Sequence, residues 1–324
     1  MGHPHQHHQG QPPRDAHLGL AAMPRRKTLF TALVLWVLWR LFGPEPRPRF
    51  RGRQSRPEGP EGRVVLAGRH EFLVRESGPV HATPIVLIHG WLYDSHATWH
   101  RIVPLLAEHY RVITIDLRNH GKSDRIRSRF DIADLADDVA RLLDVLDLSG
   151  MPIVGYSMGG MAAQELVLRH PGRVSHLILG ATAAHPLALA RWATTPVLYL
   201  GRTLSRIDRF LLPRLAHLYM TRTGTIPDEH SAWLWQALVD RDVDLYYEGG
   251  FAIARFDVRS RLSAIDVPTL CIIPTADQLV WPAQQYETAS LITGASIVEL
   301  VDARHEAVLT HADDIAKAIA AFVG

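Results

Sequence analysis

One cysteine, Cys271, stands among 324 residues, so no internal disulfide can form and sulfur content gives no sign of export. A long apolar run is also missing. The most hydrophobic stretch, Leu29 to Trp39, is closed by Arg40 and falls short of the roughly 20 residues that a full bilayer span needs. No Ala-x-Ala-like site follows it, and Gly43-Pro44-Glu45-Pro46 is unsuited to cleavage, which argues against a removed signal peptide. Net charge is only +2 and no nucleic-acid-binding motif accompanies it, so a nucleic-acid partner is not expected. At 47% hydrophobic and 21% charged residues, the chain can bury a large core.

The first sixty residues differ from the rest. Residues 1–27 read as a disordered tail rich in His, Pro and Gln, and Met23 is a second candidate start. The tail's His3, His5, His7 and His8 fit low complexity better than a metal site, and no metal is assigned anywhere. Residues 28–42, behind Arg25-Arg26-Lys27, read as a hydrophobic anchor helix, either a short span or an interfacial one, with membrane lipid as its partner. Residues 43–62 form an Arg/Pro-rich linker. Its Arg47, Arg49, Arg51, Arg53 and Arg56 outnumber the cations before the helix, so the positive-inside rule places the larger, C-terminal part of the chain in the cytoplasm. A membrane-associated protein is the expectation, with an exported or soluble cytoplasmic one as the alternative.

Most informative is Ile153-Val154-Gly155-Tyr156-Ser157-Met158-Gly159-Gly160, an apolar strand that ends in Gly-x-Ser-x-Gly and enters a helical pattern. A serine on so sharp a turn stands clear of the fold, and Gly155 and Gly159 let neighbouring elements approach. Ser157 is therefore the candidate nucleophile. Its hydroxyl needs an imidazole to take the proton and a carboxylate to orient that imidazole. Asp277 follows the apolar run Thr269–Ile273 and His305 follows Ser296–Val301, so both lie at the carboxyl ends of predicted strands. Asp302 is a rival acid that would have to fold back within its own loop, and His311 reads as a surface residue.

Upstream, the strand Pro84-Ile85-Val86-Leu87-Ile88 ends in His89-Gly90-Trp91-Leu92. Two fixed backbone N–H groups can stabilise charge that develops on a reacting carbonyl oxygen, and the amides of Trp91 and Met158 are the candidates. Gly90 lets the main chain approach a substrate, while His89 is expected to shape the loop rather than move protons. Both are placed at the substrate site, together with Tyr156.

These motifs in this order, with Asp116-Leu117-Arg118-Asn119-His120-Gly121-Lys122-Ser123, resemble those of the α/β-hydrolase superfamily over about residues 63–324. The resemblance implies an α/β fold with a mostly parallel central sheet flanked by helices, an inserted helical cap, a Ser157–His305–Asp277 triad and no cofactor. Asn119, Pro274 and Arg304 depart from it, each standing where glycine is common, and Arg304 puts a bulky cation beside His305. Further apolar runs at Arg111–Ile115 and His176–Leu179, and the helical period of Ile132–Leu146, agree with alternating strands and helices.

The expected layout is a core over residues 63–184, a helical cap over 185–260 and the rest of the core over 261–324. Aromatic cap residues, Trp192 and Trp233 among them, are expected to line the pocket and favour an apolar acyl group. Arg202, Arg206, Arg209 and Arg214 recur at near-helical spacing and read as a solvated face. The expected activity is hydrolysis of small-molecule carboxylic esters, lipid or acylglycerol esters included, through an acyl-enzyme. A lactonase, a carbon–carbon bond hydrolase, a peroxidase-like relative or an acyltransferase would use the same triad, and a non-catalytic binding protein would share the fold. Dehalogenases and epoxide hydrolases are disfavoured, since they carry aspartate where this chain has Ser157.

Overall fold

The computed structural model describes residue 2 and residues 26–43, 47–186 and 191–324. The tail expected over residues 1–27, with its four histidines, lies almost wholly outside the described residues. Two units make up the chain, Met1–Pro44 and Glu45–Gly324. In the first, one helix covers the 17 residues Arg26–Phe42. At 1.5 Å per residue it is about 25 Å long, against roughly 30 Å of bilayer hydrocarbon. No helix among the described residues is long and apolar enough to cross a membrane, so the span expected over residues 28–42 is not supported.

In the second unit, eight strands form one sheet: β1 (Arg63–Ala67), β2 (His70–Ser77), β3 (Pro84–Ile88), β4 (Arg111–Ile115), β5 (Met151–Tyr156), β6 (Val174–Gly180), β7 (Thr269–Pro274) and β8 (Ser296–Leu300). Their spatial order is β1-β2-β4-β3-β5-β6-β7-β8. The hairpin β1–β2 and the β2–β4 pair are antiparallel, and every other pairing is parallel. Every residue of β5 and β7 is buried, which is why these strands read as continuous apolar runs rather than alternating ones. Helices Ile132–Val145 and Met158–Arg169 cover one face, while Ser95–Trp99, Val103–Leu106 and Ala312–Val323 cover the other.

This topology has a consequence for the site. From β3 the chain winds outward to β4 on one side and, from β5, outward to β8 on the other. The strand order thus reverses between β3 and β5, and a crevice opens at their carboxyl ends. The segments that leave those two ends are His89-Gly90-Trp91 and Ser157-Met158.

Between β6 and β7 the chain inserts helices Arg191–Ile207, Leu211–Arg222, Ser231–Val239 and Val243–Arg255, the cap. Tyr246, Tyr247 and Phe251 form a small cluster of their own there. Arg202 and Arg206 both bond to Asp244 at 2.8 Å, and Arg214 pairs with the buried Asp208, so these cap cations hold helices together. Residues before β1 lie along the same unit. Pro57 is buried, its carbonyl is 3.2 Å from a His96 ring nitrogen, and Ser55 N–H donates to Glu229 at 2.8 Å.

Candidate active site

Ser157 follows β5 directly, capping the next helix with φ 55° and ψ −120°, a conformation that costs a non-glycine residue energy and persists only where its surroundings impose it. The glycines show how they do so. A Cβ on Gly155 would stand 2.5 Å from the Gly159 carbonyl oxygen, and one on Gly159 would stand 2.2 Å from that of Ile88. With both positions bare, the helix Met158–Arg169 starts hard against β3 and the serine is left on the outside of the turn.

Around Ser157 Oγ the structure brings together the predicted partners. His305 Nε2 lies 3.1 Å from it, and His305 Nδ1 lies 2.8 Å from Asp277 Oδ2. The Asp277 side chain is fully shielded from solvent. Its Oδ1 accepts from the Leu279 and Val280 N–H groups at 2.9 and 3.0 Å, and its Oδ2 also accepts from Gln285 Nε2 at 3.1 Å. A carboxylate so fixed holds the Nδ1–H tautomer and leaves the Nε2 lone pair facing the serine. Asp302 is exposed, has φ 57° and uses its N–H on Thr275 Oγ1, well away from this chain of bonds. Arg304 is exposed rather than inserted beside the imidazole.

The loop after β3 passes directly over the serine, since a Cβ on Gly90 would lie 3.2 Å from Ser157 Cβ. Among the described residues, neither the Trp91 N–H nor the Met158 N–H donates to a protein group. The Met158 amide is also the first of its helix, at the positive end of the dipole. His89 is fully buried and braces this loop from behind. Its Nε2 accepts from Leu117 N–H at 3.0 Å, so its Nδ1–H donates to the Gly90 carbonyl at 2.6 Å. Burial pushes its pKa down, against the pull of Asp116, and the neutral ring fits both bonds. Burial alone would raise the pKa of Asp116, but Arg75 at 3.0 Å, with hydrogen bonds from the Ser95 hydroxyl and the Lys122 N–H, brings it below the usual carboxylate range.

A cavity of about 270 Å³ opens above Ser157, with Leu92, Met161, Met220, Ile253, Leu279 and Val308 in its walls. Glu306 is its single carboxylate among the described residues. Tyr156 contributes a ring to the wall, and its hydroxyl donates to the His305 carbonyl at 2.7 Å while accepting from Val308 N–H at 3.2 Å. It anchors the His305 loop. Three residues placed at the substrate site by sequence lie elsewhere. His89 is behind the loop, Trp192 is 81% exposed on the outer side of its helix, and Trp233 sits edge-on against His96 and His100 at 5.4 and 5.6 Å.

Other contacts gave no sequence signal. The Trp91 indole stacks on Tyr246 at 4.3 Å and donates to the Tyr246 carbonyl at 2.7 Å. Arg241 donates to the Trp91 carbonyl at 2.6 Å and to that of Leu92. Within Val239-Asp240-Arg241-Asp242, nothing distinguishes this half-buried cation from a residue in a surface turn. Gln285, one helical turn into the helix Pro282–Leu291, looks equally ordinary.

Comparison with known proteins identifies similar sequences and folds. Residues 83–312 match the model of the α/β hydrolase fold family. A non-heme chloroperoxidase of Streptomyces lividans is 29% identical over 81% of this chain and 99% of its own length. A pimeloyl-[acyl-carrier protein] methyl ester esterase of Neisseria meningitidis serogroup B is 30% identical over 77% of this chain and 96% of its own. Among solved structures, the enol-lactonase from Burkholderia xenovorans LB400 superposes with a TM-score of 0.71 at 30% identity, covering 80% of this chain and 99% of that one. The matched span contains every residue of the Ser157–His305–Asp277 arrangement, and the chain belongs to the α/β-hydrolase fold family, as a hydrolase.

Proposed function

We propose that the protein is a serine hydrolase of small, apolar carboxylic esters, with Ser157 as nucleophile, His305 as general base and Asp277 as the acid that orients it. The observation that carries this reading is the continuous chain of bonds, 2.8 Å from Asp277 to His305 and 3.1 Å from His305 to Ser157, at the floor of an apolar cavity. His305 takes the Ser157 proton as Oγ attacks the ester carbonyl carbon. The oxygen, now negative, is held by the Trp91 and Met158 N–H groups. Collapse of this intermediate expels the alcohol, which takes the proton from His305. Water, deprotonated by His305, then attacks the acyl-enzyme and releases the acid, restoring Ser157.

At about 270 Å³ the cavity is small beside common ligand pockets, which supports short acyl groups rather than long-chain lipid. Lactone opening is the second reading, favoured by the 30% identity to an enol-lactonase, because a lactone is a cyclic ester and the same first step opens it. A panel of p-nitrophenyl esters of graded chain length tests the proposal. The expected outcome is a kcat/KM maximum at short acyl chains, with turnover lost in Ser157→Ala. Full turnover in Ser157→Ala would overturn the mechanism, and a maximum at long chains would overturn the size argument.

A further inference from the structure

A second cavity, of about 220 Å³, lies between the cap and the loop that follows β4, and it shares only Leu92 and Tyr93 with the cavity above Ser157. Its charge is lopsided. Arg56, Arg75, Lys122, Arg125 and Arg241 line it, against the carboxylates of Asp94 and Asp240. Arg75 is committed to Asp116 at 3.0 Å. Among the described residues, no carboxylate comes within the 4.0 Å of an ion pair to the other four cations. The guanidinium of Arg125 is held by the Gly121 and Ser123 carbonyls, and that of Arg241 by the Trp91 and Leu92 carbonyls. Carbonyl dipoles hold these groups in place without cancelling their charge. The two acids are occupied in turn: Asp94 accepts from Ala97 N–H at 2.8 Å, and Asp240 from Gln236 Nε2 at 2.6 Å.

Asn119 adds an independent observation. It stands in the wall of this cavity, 8% exposed, with φ 65°. Glycine would meet that backbone demand at less cost. Its Oδ1 accepts from Ile126 N–H at 2.7 Å, but its buried Nδ2 has no hydrogen-bond partner. A buried donor left unpaired is unfavourable until something accepts from it.

We propose that this cavity binds a small oxyanion, a phosphate or carboxylate group, through Arg56, Lys122, Arg241 and the Asn119 amide. The site does not depend on the activity assigned to Ser157. Its occupant would share Arg241 with Trp91 and Leu92, both of which also line the cavity above Ser157.

Calorimetric titration of the full chain with inorganic phosphate and, separately, with acetate at low ionic strength tests the proposal, low salt being needed because charge screening weakens such sites. The expected result is saturable binding of one anion per chain that persists after Ser157 is blocked with a fluorophosphonate. Tighter binding of phosphate would assign a phosphoryl group to the site, and tighter binding of acetate a carboxylate. Lys122→Ala and Asn119→Asp should each weaken it about tenfold, the worth of one charge-assisted hydrogen bond. Asn119→Asp keeps an acceptor for Ile126 and a residue that tolerates positive φ while exchanging the unpaired donor for an acceptor. Both variants should retain ester turnover, which shows that they fold. Absence of saturable binding for both anions, or binding unchanged in both variants, would overturn the proposal.

Discussion

At the scale of single residues, the proposed choice of Asp277 over Asp302 as the acid rests on burial and hydrogen bonding. Asp302 is three positions from His305 in sequence, whereas Asp277 comes from the end of another strand. Asp277 is buried under four hydrogen-bond donors and reaches Nδ1, whereas Asp302 faces solvent. Replacement by the isosteric amide should therefore separate the two. Asp277→Asn keeps the shape but can hold the wrong imidazole tautomer, so kcat is expected to fall by roughly 10⁴, while Asp302→Ala should leave kcat unchanged. Steady-state kinetics on one ester decide it, and equal effects would contradict the assignment. Ser157, His305 and Asp277 could be nominated because each follows an apolar strand run, in the required order, and the structure brings the three within hydrogen-bond distance. Trp192 and Trp233 were misplaced because composition says that an aromatic belongs to the cap, not which side of its helix faces the cavity. Arg241 and Gln285 were invisible because their roles arise only from contacts far apart in sequence.

At the scale of elements, six strands could be read from their apolar patterns; in β3, β4, β5, β6 and β7 burial on both faces explains the pattern, whereas β8, at the sheet's edge, is mostly exposed. The β1–β2 hairpin was not read. In β1 only Val65 and Ala67 are buried, so its five residues at the sheet's edge carry too little pattern to stand out. The segment before it also lay beyond sequence reading, since its contacts, Pro57 on His96 and Ser55 on Glu229, pair residues far apart in the chain. Beside that segment His96, His100 and Trp233 form an edge-on aromatic group. Burial pushes the His100 pKa down to about 4 and lowers that of His96. Above the ordinary histidine pKa of about 6.5 both states are neutral and these groups add no pH dependence. As pH falls below it, the unfolded chain binds protons that the folded chain refuses, so stability drops until folded His100 itself titrates near 4. Denaturant midpoints should therefore fall between pH 7 and 5, by less in His100→Gln. A midpoint that is flat with pH, or one equally steep in the variant, would contradict this account.

At the scale of the whole molecule, the residues of the proposed chemistry belong to one of two units. Every strand, both predicted oxyanion amides and the triad lie within Glu45–Gly324, while the helix Arg26–Phe42 belongs to Met1–Pro44. A protein beginning at residue 45 is therefore expected to fold and to keep the kcat/KM of the full chain on soluble esters. Loss of soluble, active protein on that truncation would show that the first unit is needed for the fold. The superfamily resemblance was legible because its motifs sit at strand ends, where the winding of the sheet collects them whatever the cap does. The cap's internal packing obeys no such rule, and the substrate follows from it.

The central claim, that Ser157 is an activated nucleophile, is tested most directly by treating the folded protein with a fluorophosphonate and locating the adduct by mass spectrometry. The account predicts a single adduct on Ser157 that is absent in Ser157→Ala and strongly slowed in His305→Ala, where the base at 3.1 Å is gone. No adduct on Ser157, or one formed as quickly without His305, would contradict it.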